Sequence, residues 1–268
     1  MKTNANGIEL AYQIHGEGQP LILITGVGYG MWFWHKIIPE LSRHYRVIAF
    51  DNRGAGESDK PEGPYTVSMM AADTAGLLDN LGITQAYVFG HSLGGFIAQE
   101  LAVTRPDLIS KIILASTNSG GMKVIPITAE AMQVLTDRSG DPVELIRRGV
   151  AVACAPGFAE RKPEIVQELM DYRFTNPVPA QNYQAQVLAG AGMSMLTDEQ
   201  VLQRMKSIQV PVLILFGEHD RVVPPGNAGL LAEMLPDARV KILPDCGHMF
   251  PVEVPQITVE AILPFLKN

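Results

Sequence analysis

Consecutive apolar residues recur in short runs along the first 115 positions, and each run leads into a loop rich in glycine or polar residues. A continuous apolar run is typical of a strand buried on both faces of a parallel sheet, whereas the alternation at residues 8–14 indicates a half-exposed strand. Buried strands are therefore predicted at residues 21–24, 45–50, 86–89 and 111–115. Helical spacing of apolar residues between these runs predicts helices at residues 31–41, 67–81 and 96–105.

The pattern changes between residues 119 and 206, where no segment reads as a good buried strand. Glycine and proline residues divide this stretch into segments with helical spacing, which predict helices at residues 129–138, 143–153, 163–174 and 180–195. Strand patterns then return at residues 210–216 and 238–243, and helical patterns at residues 227–235 and 255–266. The expected fold class is α/β, with a mainly parallel, doubly wound sheet built from residues 1–118 and 207–268. Residues 119–206 are expected to form a helical cap inserted into this core.

Composition narrows the possible partners. The chain has 268 residues, of which 47% are apolar, so it can bury a sizeable core. Its net charge of −7 and the lack of a lysine or arginine run argue against nucleic acid and against an anionic membrane surface. We expect a cytoplasmic protein without signal peptide or membrane span, and Cys154 and Cys246 as free thiols.

The sequence Gly-His-Ser-Leu-Gly-Gly at residues 90–95 carries the strongest chemical signal. Ser92 has a glycine two positions away on each side, a strand-forming run before it and a helix-forming run after it. This context is typical of a nucleophile elbow, in which a strained turn holds the serine hydroxyl above the sheet at a helix N-terminus. Ser92 is therefore the predicted nucleophile.

A serine nucleophile needs a base to take its proton and a carboxylate to orient that base. In open α/β sheets, such groups gather just beyond the carboxyl ends of the strands. Asp220 follows the strand predicted at residues 210–216, and His248 follows the one predicted at 238–243. We predict Asp220 as the acid and His248 as the base, with Glu218 as the alternative acid.

Other titratable or polar residues fit the role of catalytic acid or base less well. Asp51 lies among turn residues, which favour a structural hydrogen-bonding role, and Asn118 is uncharged. His91 and His219 are neighbours of the predicted triad in sequence, and their side chains are expected to point away from it. The remaining candidates lack a carboxylate motif beside them and sit in a turn or on a helix: His15, His35 and His44.

Acyl transfer also requires donors for the developing oxyanion. The backbone N–H groups of Val27, in the glycine-rich loop at residues 25–30, and of Leu93, directly after the nucleophile, are the predicted donors. That loop does not match a dinucleotide fingerprint, because Met31 stands where the third glycine is required. No cofactor and no metal are expected. Four apolar residues are candidates to line the substrate pocket: Trp32, Phe33, Met193 and Met249.

Taken together, these segments resemble the α/β-hydrolase superfamily, in the small cap-bearing branch that includes carboxylesterases, enol-lactonases and C–C hydrolases. The resemblance covers nearly the whole chain and rests on residues 21–30, 51–58, 90–95, 217–224 and Gly247-His248. Many relatives begin the oxyanion loop with His-Gly, whereas this chain has Thr25-Gly26. A serine at the elbow, where epoxide and haloalkane hydrolases carry aspartate, implies an acyl-enzyme mechanism.

The resemblance implies a serine hydrolase that cleaves a small, largely apolar carboxylic ester or lactone and works as a monomer or homodimer. The same triad also serves C–C bond hydrolases and cofactor-free haloperoxidases, which remain alternatives. A hydrolase-fold receptor that binds a small apolar lactone is an alternative of another class. Sequence alone does not choose among them.

Overall fold

The computed structural model describes residues 1–137 and 139–267. Its centre is an eight-stranded sheet with the strand order β1-β2-β4-β3-β5-β6-β7-β8. The strands are β1 (Lys2–Ala5), β2 (Ile8–His15), β3 (Pro20–Ile24), β4 (Arg46–Phe50), β5 (Ala86–His91), β6 (Ile109–Ala115), β7 (Val212–Gly217) and β8 (Ala238–Leu243). Strands β3 to β8 are parallel, and β2 runs antiparallel to both β1 and β4.

Each strand predicted from the apolar pattern is present, within two residues at either end. Strand β1 was not predicted, because three of its four residues are polar and its sequence shows no run or alternation. It forms the sheet edge by pairing with β2, in a register that places Lys2 opposite Ala11. Pairing with a neighbour, rather than local sequence preference, makes this segment a strand.

Helices cover both faces of the sheet, as the doubly wound prediction requires. Side chains alternate along β3, so that Ile22 and Ile24 enter one apolar cluster while Leu21 and Leu23 enter the other. The first cluster includes residues of helices α2 (Val67–Asn80) and α3 (Leu93–Thr104), and the second includes residues of helix α1 (Ile38–Leu41). The α/β fold class is confirmed.

Among the described residues between β6 and β7, there are helices and loops but no strand. The helices are α4 (Ala129–Thr136), α5 (Pro142–Ala153), α6 (Phe158–Arg161), α7 (Pro163–Thr175), α8 (Ala180–Gly192) and α9 (Asp198–Ser207). The four predicted helices correspond to α4, α5, α7 and α8, whereas α6 and α9 were not predicted. Arg138, the last residue of the first predicted helix, lies outside the described residues.

Two of the predicted helices are not continuous in the structure. The prediction at 31–41 was wrong as one helix, because residues Met31–Trp34 form a 3₁₀ turn and α1 begins only at Ile38. Pro39 lacks an N–H and fits the first turn of a helix, so it is the second residue of α1 rather than a residue near the end of a longer helix. At 180–195, α8 ends at Gly192 and a 3₁₀ turn, Met193–Met195, follows.

The remaining helices close the fold after β7: α10 (Asn227–Met234), α11 (Phe250–Glu253) and α12 (Pro255–Lys267). Through residues 1–137 and 139–267, no helix is both long enough and apolar enough to cross a bilayer. The predicted division into a core (1–118 and 207–268) and a cap (119–206) stays a prediction, and its last residue, Asn268, lies outside the described residues.

Candidate active site

Ser92 occupies a sharp turn between β5 and α3. Its backbone angles are φ 55° and ψ −118°, in a region that non-glycine residues rarely adopt. A Cβ on Gly90 would lie 2.2 Å from the carbonyl oxygen of Gly94, and a Cβ on Gly94 would lie 2.1 Å from that of Ile24. The flanking glycines are therefore required by close backbone approach. This geometry is that of the predicted elbow, with Ser92 at the N-terminus of α3.

Asp220 and His248 meet at the carboxyl edge of the sheet, in the loops after β7 and β8. His248 Nδ1 lies 2.8 Å from Asp220 Oδ2. The other carboxylate oxygen, Asp220 Oδ1, accepts hydrogen bonds from the N–H groups of Val222 and Val223 at 2.9 and 2.8 Å. Both residues are buried, so the carboxylate can orient the imidazole and stabilise its charged form.

Glu218, the alternative acid, points elsewhere. Its side chain is exposed, and its Oε2 accepts a hydrogen bond from the N–H of Asp245 at 3.3 Å. His219 lies beside it, with its ring nitrogen 4.0 Å from Glu218 Oε2. Among the described residues, one group lies close enough together to hold a metal ion. It consists of Glu218, His219 and Asp245, at the surface of these loops.

His91 lies closer to the site than expected. Its ring centroid is 4.7 Å from that of His248, and its Nε2 is 2.7 Å from the His248 carbonyl oxygen. Burial, with a smaller contribution from His248, lowers the pKa of His91 well below its usual range. A neutral ring with Nε2–H donating to that carbonyl leaves His91 as a support behind His248.

The loop after β3 folds back on itself beside Ser92. Thr25 Oγ1 donates to the carbonyl of Tyr29 at 3.0 Å, and Asn52 Nδ2 donates to the carbonyl of Thr25 at 3.0 Å. Thr25, which replaces the histidine of many relatives, thus closes the loop with its hydroxyl. Val27 and Leu93, the predicted oxyanion donors, both line the same cavity as Ser92.

Asp51 has the structural role that its turn context indicated. Its two carboxylate oxygens accept hydrogen bonds from the N–H groups of Met31 and Glu57, at 2.6 and 2.8 Å. Burial raises the pKa of this carboxyl above its ordinary value, and the two backbone donors oppose that shift. Asp51 therefore joins the loops after β3 and β4.

A cavity of about 760 Å³ adjoins these residues, between the carboxyl edge of the sheet and helices α4, α5, α7 and α8. Ser92 and His248 line it, together with mainly aliphatic side chains from the helical segment. Phe33 and Met249, two of the four predicted pocket residues, also line it. Such a lining suits an apolar ligand.

The other two predicted pocket residues are not among the described lining residues of this cavity. The ring of Trp32 stacks between those of His35 and Tyr172, at 4.3 and 4.8 Å between centroids. Met193 is buried in the apolar cluster that contains α2 and α3. Trp32 is therefore half-buried against these two rings, whereas Met193 belongs to the core.

Three polar residues of the helical segment contact the loop after β3 and were missed by the sequence analysis. Gln186 Oε1 accepts from the N–H of Gly28 at 2.8 Å, and the Tyr172 hydroxyl accepts from the N–H of Gly30 at 2.9 Å. Arg173 donates to the carbonyl of Gly28. Two amides one turn apart on α8, Asn182 and Gln186, among alanines on the same buried face, were the available signal for Gln186.

Glu253 supports the loop that carries His248. Its two oxygens accept from the N–H groups of Gly247, next to His248, and of Ala155, two residues after the end of α5, at 2.9 and 2.7 Å. Burial raises the pKa of this carboxyl to about 7. Cys154 and Cys246 are buried free thiols nearby, and burial raises the pKa of Cys246 to about 12.

A strand-turn-helix elbow, an Asp-His pair at neighbouring strand ends and a cavity above the sheet define the α/β-hydrolase fold class. Comparison with known proteins agrees, because the family model described as alpha/beta hydrolase fold matches residues 19–255. The chain belongs to this family.

Its relatives act on chemically different substrates. The chain is 31% identical over 252 residues to a poly(3-hydroxyalkanoate) depolymerase of Ectopseudomonas oleovorans, covering 93% of this chain and 84% of the relative. It is 28% identical over 273 residues to a 2-hydroxy-6-oxo-6-(2'-aminophenyl)hexa-2,4-dienoic acid hydrolase of Metapseudomonas resinovorans, covering 99% and 90%. The solved structure of an enol-lactonase from Burkholderia xenovorans LB400 superposes with a TM-score of 0.83 at 26% identity, covering all of both chains.

Proposed function

We propose that this protein is a serine hydrolase that cleaves a small, largely apolar carboxylic ester or lactone through an acyl-enzyme on Ser92. The observation that carries the proposal is the 2.8 Å contact between His248 and Asp220 beside a cavity that Ser92 also lines. This arrangement supports nucleophilic catalysis, because a buried carboxylate fixes the imidazole that receives the serine proton. Helices α4–α9 act in this proposal as a cap that excludes water.

In the first step, Ser92 Oγ attacks the carbonyl carbon, and its proton passes to His248. The N–H groups of Val27 and Leu93 stabilise the oxyanion that forms. The C–O bond to the alcohol then breaks, and His248 gives its proton to that oxygen. Water, deprotonated by His248, attacks the acyl-enzyme and releases the acid in the same way.

The apolar cavity favours uncharged substrates. Aliphatic residues from α5 and α8, including Leu145, Ile146 and Val187, line it and offer no partner to a charged acyl group. Arg173 also lines the cavity, and its guanidinium is hydrogen-bonded to the carbonyl of Gly28. The enol-lactonase and depolymerase similarities support ester and lactone chemistry. The dienoic acid hydrolase similarity keeps C–C bond hydrolysis as the main alternative.

The first test is covalent labelling. An organophosphonate serine probe should add one adduct to the wild-type protein, located on Ser92 by mass spectrometry, and none to Ser92→Ala. A panel of p-nitrophenyl esters, lactones and vinylogous diketones, assayed with the same two proteins, then separates the chemistries. Turnover confined to the diketones would reject the ester proposal, and a labelled Ser92→Ala would reject the nucleophile.

A further inference from the structure

The peptide that carries the Val27 N–H lies between two peptides held by side chains. On one side, the carbonyl of Thr25 accepts from Asn52, which follows β4 in the core. On the other side, the N–H of Gly28 donates to Gln186 Oε1 on α8. The orientation of the proposed oxyanion donor therefore depends on one contact from the core and one from the helical segment.

Local backbone sterics do not fix this loop. Gly28 has φ +71°, which glycine adopts as readily as negative values. Without an outside partner, the peptide between Val27 and Gly28 would be free to rotate. Hydrogen bonds must therefore select its orientation.

Gln186 is well suited to that task. Its side chain is fully buried, and its Nε2 donates to the carbonyl of Arg53 at 2.8 Å while its Oε1 accepts from Gly28. A carbonyl on one side and an N–H on the other permit one orientation of the amide only. Arg173, on α7, holds the carbonyl of the same Gly28.

We propose that Gln186 is a positioning residue that sets the Val27 N–H for oxyanion stabilisation, so that the helical segment completes the catalytic loop. Substrate binding in the apolar cavity does not require this contact, whereas stabilisation of the transition state does. The inference rests on the proposed serine hydrolase function and adds a role for α8 in it.

The test compares three variants with the wild type on a p-nitrophenyl ester. Gln186→Met keeps the side-chain length and removes both hydrogen bonds, and kcat should fall by roughly 10- to 100-fold with KM within about three-fold, since a displaced oxyanion donor weakens transition-state binding. Asn182→Leu is the matched control, because Asn182 is a buried amide one turn earlier on α8. It bonds Pro61 and Tyr65, away from the loop at 25–30. Its kcat should stay within about two-fold of the wild type.

Gln186→Glu supplies a readout that a merely structural role would not produce. A protonated carboxyl can accept from Gly28 and donate to Arg53 as the amide does, whereas the ionised form has lost its donor and repels the oxyanion. The ratio of the kcat of Gln186→Glu to the wild-type kcat should therefore fall as pH rises.

Each outcome has a definite meaning. A Gln186→Met variant that is folded by circular dichroism and retains wild-type kcat overturns the inference, as does an equal loss of kcat in a folded Asn182→Leu. A pH-independent ratio for Gln186→Glu also overturns it. Labelling of Ser92 is scored separately, so these failures leave the proposed function intact, while an unlabelled wild type, or a labelled or fully active Ser92→Ala, rejects the function itself.

Discussion

At the residue scale, the environment distinguishes two carboxylates that are two positions apart. Asp220 is buried and directs one oxygen to His248 and the other to two backbone N–H groups. Glu218 is exposed and touches the backbone of Asp245. The order serine, acid, histidine and the strand ends restricted the choice of acid to Asp220 or Glu218, and Asp220 is the one that contacts His248. The roles of His91, Gln186 and Glu253 depend on contacts between distant segments, which a single sequence does not show.

Asp220→Asn should reduce kcat on p-nitrophenyl esters by roughly 10³- to 10⁴-fold, because an amide neither holds the required tautomer of His248 nor stabilises its charge. Glu218→Gln is the control and should remain within about two-fold of the wild type. Steady-state kinetics on both purified variants is the measurement. A large loss in Glu218→Gln together with an active Asp220→Asn would transfer the acid role to Glu218.

Glu253 should make stability depend on pH. Burial raises the pKa of its carboxyl from 4.5 to about 7, so between these values the folded protein holds a proton that the unfolded chain has released. The contribution of this group to the free energy of unfolding is therefore largest below about pH 4.5, declines as pH rises to about 7, and is constant above.

Urea unfolding at pH values from 5 to 9 checks this, with Glu253→Gln as the comparison. In the variant, the amide NH₂ group of Gln lies opposite one of the two backbone N–H groups, so two donors meet without an acceptor. The variant should therefore be less stable than the wild type by about 1–3 kcal/mol. The stability difference between wild type and variant should shrink as pH rises towards 7. A difference that grows over that range would contradict the assigned direction of the shift.

At the scale of elements, continuous apolar runs predicted the central strands well, because buried parallel strands leave little room for polar residues. The 3₁₀ turn at Met31–Trp34 was hidden, because its side chains match a helical spacing even though the backbone does not continue as a helix. The packing of α3 against β3, in contrast, is indicated by a glycine in the sequence. It requires Gly94, whose Cα approaches the carbonyl of Ile24.

Gly94→Ala should be strongly destabilising, by more than about 4 kcal/mol, because its Cβ would overlap backbone that cannot move without separating α3 from the sheet. Gly229→Ala, on α10, is the matched control, since its Cβ would meet no atom within 4 Å. That change should stabilise the protein by up to about 1 kcal/mol through helix propensity. Thermal or urea denaturation of both variants measures the contrast, and equal effects would argue against the close approach.

At the scale of the whole molecule, the cavity is built from segments that are far apart in the chain, from Gly26 to Met249. The sequence predicted a helical segment at residues 119–206 and two methionines, Met193 and Met249, as pocket candidates. Met249 does line the cavity, whereas Met193 is buried in the core. Which face each helix presents depends on how the helices pack on one another, and periodicity alone does not fix that.

Filling the cavity should change the preference of the enzyme for the length of the substrate's acyl chain. Gly149 on α5 lines the cavity, and a Cβ there would enter open space. Gly149→Phe should lower kcat/KM for p-nitrophenyl octanoate at least 10-fold relative to the acetate, because the added ring occupies volume that a long acyl chain needs.

Gly192→Phe places the same ring outside the lining residues, also in open space, and serves as its control. The octanoate-to-acetate ratio of this variant should match the wild type. A parallel loss on both esters in Gly149→Phe would indicate damage to the site rather than a shorter acyl pocket.

The two native thiols are buried and burial raises the pKa of each, so at neutral pH they are poor nucleophiles towards alkylating reagents. A cysteine introduced at Leu188, which is 57% exposed on α8, would then be the preferred attachment point for a maleimide dye without removing either native cysteine. Fluorescence from that single label would report whether the surroundings of α8, the helix that also carries Gln186, change during turnover.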